Sequence, residues 1–179
     1  MQLLDAGYLE GGIMTYEEAM DRFYLRKAME AAVELSEDPK TQTGALLVVD
    51  GTVLRDANRF PEKVDKRRNR LDGGNKNIWV EHAERNVIYK AARSGISTQG
   101  TTLYSSWFTC VECARAIIQA GIFRLVLSGV VRDLERGQNW RRSQAIAEEM
   151  LCEAGIEILY LEGLVEGPRI LFDGNYVST

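Results

Sequence analysis

Residues 101–127 read TTLYSSWFTCVECARAIIQAGIFRLVL, and the pattern of this stretch is the clearest guide to the fold. Its start, residues 101–105, predicts a strand, and the periodic apolar residues of 110–120 predict a helix. Gly121 follows as the helix cap, and residues 123–127 predict a second strand. Parallel strands joined by a helix form a right-handed crossover, so the sequence predicts an α/β sheet.

The same alternation continues on both sides of this stretch. We predict further helices over residues 16–35, 82–93 and 139–153, a strand over 157–161, and a hairpin with strands at 44–49 and 52–60. Asp50-Gly51 is a favoured hairpin turn. Because a hairpin pairs its strands antiparallel, we expect a mixed sheet with helices on both faces.

The chain has the size and composition of one domain. It contains 179 residues, of which 45% are hydrophobic, enough for a sizeable core. We expect a single domain over residues 1–179, with a basic loop at about 61–77 and a tail at 163–179. The tail could add a strand or an oligomer contact.

The charge balance excludes some classes of partner. A net charge of −4 argues against a general nucleic-acid binder, which needs concentrated positive charge, and favours a small ligand. No run approaches the ~18 apolar residues that span a bilayer, and the first residues lack the features of a signal peptide. We therefore expect a cytoplasmic protein without a membrane partner.

Three residues suggest a metal site. His82, the only histidine, opens one predicted helix, and Cys110 and Cys113 open the next. The i, i+3 spacing places both thiols on one helix face, and the positive N-terminal end of a helix favours the thiolate that binds metal. Three protein ligands leave the fourth tetrahedral position open, the pattern of a catalytic zinc.

A catalytic zinc activates a bound water, whose proton must be moved to the leaving group. Glu84 is the candidate for this role if the metal lies near the first helical turn. The cysteines could instead form a redox pair or half of a structural zinc site. The only other cysteine, Cys152, lies among apolar residues of a later helix, which predicts buried packing rather than a fourth ligand.

Four blocks, in order along the chain, resemble the deoxycytidylate (dCMP) deaminase family of the zinc-dependent cytidine deaminase-like superfamily. They are Ser36-Glu37-Asp38-Pro39-Lys40-Thr41-Gln42-Thr43-Gly44-Ala45, Asn58-Arg59-Phe60-Pro61, His82-Ala83-Glu84-Arg85-Asn86, and the segment from Cys110-Val111-Glu112-Cys113 to Ile122. The histidine and cysteine motifs follow the general signature of zinc-dependent nucleobase deaminases.

The resemblance implies hydrolysis of dCMP to dUMP and ammonia, a step that feeds thymidylate synthesis. His82, Cys110 and Cys113 would bind one Zn²⁺ per chain, and Glu84 would move the proton to N3 of the ring and to the leaving ammonia. Asn58 would contact the sugar hydroxyl. The implied fold is a three-layer α/β/α arrangement with a mixed five-stranded sheet, and we expect a homo-oligomer.

The chain departs from the family pattern at two places. Thr109 replaces the proline before Cys110; its hydroxyl can cap the helix, so we expect zinc binding to survive. The turn Gly-Tyr-Asn-Gly-Phe-Pro of the family reads Asp56-Ala57-Asn58-Arg59-Phe60-Pro61 here, without its aromatic residue and glycines.

Two further features have alternative interpretations. The basic loop, from Lys63 to Lys76, could close over a substrate phosphate or be a solvated surface loop. Trp107 and Phe108 could stack on a pyrimidine or pack in the core. Beside dCMP we keep three alternatives: a modified pyrimidine nucleotide, a nucleic-acid base, and a zinc-stabilised domain without catalysis.

Overall fold

The computed structural model describes residues 14–72, 75–130 and 138–179. Its helices are α1 (Tyr16–Leu35), α2 (Lys76–Trp79), α3 (Ala83–Arg93), α4 (Val111–Gln119) and α5 (Gln138–Glu153), with a 3₁₀ turn at Arg68–Arg70. The strands are β1 (Gly44–Val49), β2 (Thr52–Ala57), β3 (Thr102–Ser105), β4 (Arg124–Ser128), β5 (Glu157–Leu161), β6 (Ile170–Phe172) and β7 (Asn175–Val177).

Strands β1 to β5 form one mixed sheet in the order β2-β1-β3-β4-β5. β1 pairs antiparallel with β2 and β3, whereas β3, β4 and β5 are parallel. Asp50 and Gly51 both have positive φ, 47° and 78°, as the tight hairpin turn between β1 and β2 requires. The predicted mixed five-stranded sheet is therefore confirmed.

Helices cover both faces of this sheet. α1 buries Leu25 and Met29 on one face, and α3, α4 and α5 bury residues such as Val87 and Ile117 on the other. A Cβ at Gly44 would lie 1.9 Å from the backbone oxygen of Ala28, so glycine is what allows α1 to pack directly on β1. The arrangement is the predicted three-layer α/β/α fold.

A buried polar network joins α1 to the sheet. The Asp21 carboxylate accepts hydrogen bonds from the Arg124 guanidinium at 2.7 and 2.9 Å and from the Tyr104 hydroxyl at 2.8 Å. Burial and the bond to Asp21 raise the pKa of Tyr104. The sequence did not predict this network, because its three members are far apart along the chain.

Three local predictions need correction. The predicted strand 52–60 ends at Ala57. The basic loop predicted at 61–77 contains the 3₁₀ turn, and α2 begins near its end and continues to Trp79. Cys152 is exposed rather than buried. Helix α5 buries Ala147 and Leu151 on one face. Because successive residues of a helix are about 100° apart around its axis, Cys152 lies off that face.

The tail forms a hairpin of its own, because β6 and β7 pair with each other.

Within the described residues, no helix combines the length and apolar character needed to cross a membrane.

Candidate metal centre and active site

His82 is placed by a short backbone pairing at the end of β2. The backbone of Arg59 exchanges two hydrogen bonds with Glu81, at 3.1 and 2.9 Å, and α3 begins directly afterwards with His82 at its N-cap. The Asn86 side chain donates to the Ala57 carbonyl at 2.9 Å, which ties the first turn of α3 to β2. The imidazole therefore lies beside the segment that carries Asn58.

The two cysteines are placed by the start of α4. Cys110 is the N-cap of this helix and Cys113 lies in its first turn, both buried. The Val111 backbone N–H donates to the Ser143 hydroxyl at 3.1 Å, which joins the start of α4 to α5. Thr109 precedes the cap position, and Cys110 itself makes no side-chain cap bond. The prediction that Thr109 caps the helix is therefore wrong.

The donor atoms converge as a metal requires. His82 Nδ1 lies 3.4 Å from the Sγ atom of Cys110 and 3.4 Å from that of Cys113, and the three donors lie within 4.8 Å of one another. A tetrahedral zinc with ordinary bond lengths needs nitrogen and sulfur about 3.5 Å apart. One imidazole and two thiolates at these distances fit zinc.

Glu84 completes the group. Its buried carboxylate lies 3.6 Å from Cys113 Sγ, so the second residue of α3 does reach the site. Burial raises the pKa of Glu84. The hydrogen bond from Cys113, together with His82, lowers the pKa of Cys110, while the bond to Cys110 and burial raise the pKa of Cys113.

His82, Glu84 and Cys110 line a cavity of about 560 Å³. We call these three residues and Cys113, which is buried beneath them, the cavity floor. We call Asp38, Lys76, Phe172 and Asp173 the cavity mouth. The remaining lining residues are Pro39, Lys40, Thr41, Thr43, Asn58, Leu71, Asp72, Asn77, Val80, Trp107, Phe108 and Trp140.

Asn58 lies in the cavity wall, and its side chain holds the neighbouring loop. Its Oδ1 accepts from the Ser36 hydroxyl at 2.7 Å and the Thr43 backbone N–H at 2.8 Å. Its Nδ2 donates to the Thr41 carbonyl at 2.8 Å and, at 3.4 Å, to Asp38 Oδ2. The amide is therefore fixed by four contacts within the chain.

Trp107 and Phe108 line the cavity and pack in the core at the same time. The Trp107 ring lies 4.9 Å from the Phe172 ring, and its Nε1–H donates to the Gln42 carbonyl at 2.6 Å. Phe108 stacks on Tyr160 at 6.2 Å on the other side of the sheet. The two interpretations of this pair are thus compatible with each other.

Among the described basic residues of the loop, only Lys76 lines the cavity. Lys76 lines the mouth, while Arg67 pairs with Asp65 and the Arg70 guanidinium lies 3.9 Å from the centre of the Trp79 ring. The predicted closure of this loop over a ligand therefore depends on Lys76 rather than on these arginines.

The turn of residues 56–61, which departs from the family pattern, is stabilised by an ion pair between two of the residues that differ. The Arg59 guanidinium donates to both oxygens of Asp56, at 2.5 and 2.9 Å, so the two residues that replace the glycines pair with each other. Asp56 is buried, and Lys90 also lies within 3.9 Å of it.

Four lining residues lie outside the motifs and the loop that the sequence indicated: Val80, Trp140, Phe172 and Asp173. The Trp140 ring stacks near His82, with centroids 6.2 Å apart and planes at 27°. Phe172 and Asp173 come from the β6–β7 hairpin, far along the chain from the cysteine motif. The sequence placed Trp140 on a predicted helix, where aromatic residues are common in cores, and it placed the hairpin in a tail without a motif. Nothing in the sequence therefore marked these positions as part of a cavity.

The hairpin reaches the cavity by binding the loop that precedes β1. Gln42 exchanges hydrogen bonds with Leu171 through its backbone N–H and its side-chain oxygen, at 2.9 and 3.0 Å. The Gly174 N–H donates to the Lys40 carbonyl at 2.8 Å. The tail is therefore part of the cavity wall.

Comparison with known proteins assigns the family. Residues 18–128 match the model of the cytidine and deoxycytidylate deaminase zinc-binding region, which is more than half of the chain. The chain belongs to this family. It is accordingly a zinc-dependent deaminase, a hydrolase of carbon–nitrogen bonds.

Individual relatives agree with this assignment. An uncharacterised deaminase from the luxG 3′ region of Aliivibrio fischeri is 28% identical over 127 residues, 70% of this chain and 83% of that protein. A probable deoxycytidylate deaminase of Drosophila melanogaster is 34% identical over 119 residues, 59% of this chain and 57% of that protein. The chain thus spans only about half of the Drosophila relative.

Solved structures agree on the fold. The dCMP deaminase of the cyanophage S-TIM5 superposes with a TM-score of 0.61 at 21% identity, covering 83% of this chain and 100% of the phage chain. The same phage enzyme in complex with dCMP and dUMP also gives 0.61, at 23% identity. At this level of identity the likeness shows the shared fold.

Proposed function

We propose that the chain removes the C4 amino group of a free pyrimidine nucleotide, with dCMP to dUMP and ammonia as the first candidate. The observation that carries the proposal is the position of three metal donors and Glu84 at the floor of one cavity of about 560 Å³. Sites for small molecules have volumes of roughly 300–1,000 Å³. The Drosophila and cyanophage relatives named for dCMP support the choice of nucleotide.

In this proposal the floor residues divide the chemistry. His82, Cys110 and Cys113 would hold zinc, which supplies the Lewis acidity that activates a water. The Glu84 carboxylate would take the proton that the water loses on attacking C4 and deliver it to ring N3. Glu84 would then take the second proton from the new C4 hydroxyl group and pass it to the amino group, so that C4=O forms, the C4–N bond breaks and ammonia leaves.

The cavity wall would orient the nucleotide. We propose that Asn58 binds the sugar hydroxyl, with its amide preset by the surrounding hydrogen bonds. Its contact with Asp38, the longest of the four at 3.4 Å, is the one that a hydroxyl would replace. Trp107 and Phe108 would offer apolar surface to the pyrimidine ring.

Other expectations about the whole protein stay proposals. They are a single domain over residues 1–179, a homo-oligomer, and a cytoplasmic location. Light scattering on the purified chain gives its subunit number directly, and a monomer would contradict the second of them.

The test is ammonia release from dCMP, dCTP, deoxycytidine and 5-substituted dCMP by zinc-replete protein, with Glu84→Ala as control. We expect selective turnover of dCMP and its loss in the variant. Turnover of a 5-substituted nucleotide alone would identify a modified substrate. Activity on none of them, with zinc bound, would contradict the proposal and direct attention to purine or polymer substrates.

A further inference from the structure

Lys76 is the cation of the basic loop that reaches the cavity in the described part of the chain. It lies in α2 at the cavity mouth, and its side chain is 23% exposed. The ion pairs of the other basic residues of the loop lie outside the cavity: Lys66 pairs with Glu37, for example, and neither of these residues lines the cavity. Lys76 therefore differs from its basic neighbours in position rather than in charge.

An ion pair fixes the Lys76 ammonium. Its Nζ lies 2.6 Å from Oδ2 of Asp38, a buried carboxylate. The other oxygen of Asp38 accepts from the backbone N–H groups of Lys40 and Thr41, at 2.9 and 3.1 Å. With its carboxylate partner held in this way, Lys76 loses less side-chain entropy on meeting a ligand than a free lysine would.

The same carboxylate oxygen connects Lys76 to Asn58. Asp38 Oδ2 is 2.6 Å from Lys76 Nζ and 3.4 Å from Asn58 Nδ2. The ammonium thus lies within two hydrogen-bond lengths of the amide that we assign to the sugar. Since a nucleotide carries its 5′-phosphate on the sugar, the reactive ring at the floor and a phosphate near Lys76 are consistent with one bound molecule.

We infer that Lys76, positioned by Asp38, is the residue that makes the enzyme prefer a 5′-monophosphate to the corresponding nucleoside. This inference rests on the proposed function and deepens it by naming the source of phosphate selectivity. An ammonium with three donors binds phosphate oxygens as a point charge, and it can keep one donor on Asp38 while the others meet the ligand. Lys40, the other lysine of the wall, has no described side-chain partner to fix it.

The experiment compares Lys76→Met with Lys76→Arg and with the matched control Lys66→Met, which breaks an ion pair of the same loop outside the cavity. We expect Lys76→Met to raise KM for dCMP about 10- to 100-fold, the size of a lost charged hydrogen bond, while deoxycytidine is unaffected. Lys76→Arg should restore most of the preference, and Lys66→Met should leave it unchanged.

A binding measurement separates this inference from the proposed reaction. Titration of dUMP and deoxyuridine into Glu84→Ala protein, with and without Lys76→Met, reports phosphate selectivity when no chemistry occurs. Zinc content and melting temperature check that each variant is folded. A nucleotide selectivity that depends on Lys76 supports the inference even if dCMP is not turned over, in which case only the proposed reaction fails.

Other outcomes overturn the inference. If Lys76→Met weakens dCMP and deoxycytidine equally, or if Lys66→Met has the same effect, the lysine only anchors its loop. A larger loss of selectivity in Lys40→Met would move the role to that residue. If the wild-type protein shows no preference for the phosphorylated ligand in either assay, both the inference and the choice of a nucleotide substrate fail.

Discussion

The floor and the mouth of the cavity are built in different ways. The floor residues lie at the starts of two adjacent helices, α3 and α4, within 32 residues of one another along the chain, and they are mostly buried. The mouth combines the loop before β1, the helix α2 and the tip of the β6–β7 hairpin. The floor is thus built from two sequence motifs, whereas the mouth is built from contacts between distant segments.

Removing a metal ligand is expected to have the largest effect. Cys113→Ser should lower the zinc content of the purified chain and reduce deamination by ~10³-fold or more, because the metal contributes several kcal/mol to the reaction. Cys152→Ser is the matched control, since this thiol is exposed and remote from the donor cluster. Zinc analysis that shows full occupancy in Cys113→Ser would contradict the ligand assignment.

Glu84→Gln should leave the metal in place and stop proton transfer. We expect kcat to fall by about 10²–10⁴-fold, the usual contribution of a general acid–base group, with zinc content unchanged. Glu112→Gln serves as control because this exposed carboxylate of α4 pairs with Arg115. Unaltered turnover in Glu84→Gln would assign the proton transfer to another group.

A change at the mouth should act on binding rather than on chemistry. Phe172→Ala removes the ring that packs on Trp107, and we expect KM to rise about tenfold while kcat and zinc content stay near wild type. Tyr176→Ala changes the exposed aromatic residue of the same hairpin, which lies outside the cavity. A fall in kcat without a change in KM would contradict this prediction, because it would show that Phe172 acts on the reaction step, as the floor residues are proposed to do.

A change far from both regions should affect stability alone. Asp21→Asn leaves the buried Arg124 without its main partner and should lower the free energy of unfolding by about 3 kcal/mol. Glu30→Gln, which breaks an ion pair on the surface of α1, should cost below ~1 kcal/mol. Urea unfolding measures both, and at temperatures where the variants are folded we expect the KM for dCMP to be unchanged.

Much of the fold followed from sequence patterns. Each predicted helix and strand of the main sheet is present, because a period of 3.6 or 2 in apolar residues reports the buried face directly. The boundary of β2 and the burial of Cys152 were wrong. After Ala57 the backbone of Arg59 pairs with Glu81 instead of β1, and Cys152 follows apolar residues of α5 but lies outside its buried face.

The members of the cavity floor could be predicted from sequence motifs. His82, Glu84, Cys110 and Cys113 lie at predicted helix starts, and i, i+3 spacing places both thiols on one side of α4. That the starts of α3 and α4 meet is a tertiary contact, seen only in the structure. Only the tertiary structure decided the mouth. Lys76 meets Asp38 across 38 residues, and Gln42 meets Leu171 across 129, through hydrogen bonds and ion pairs whose partners no local periodicity specifies.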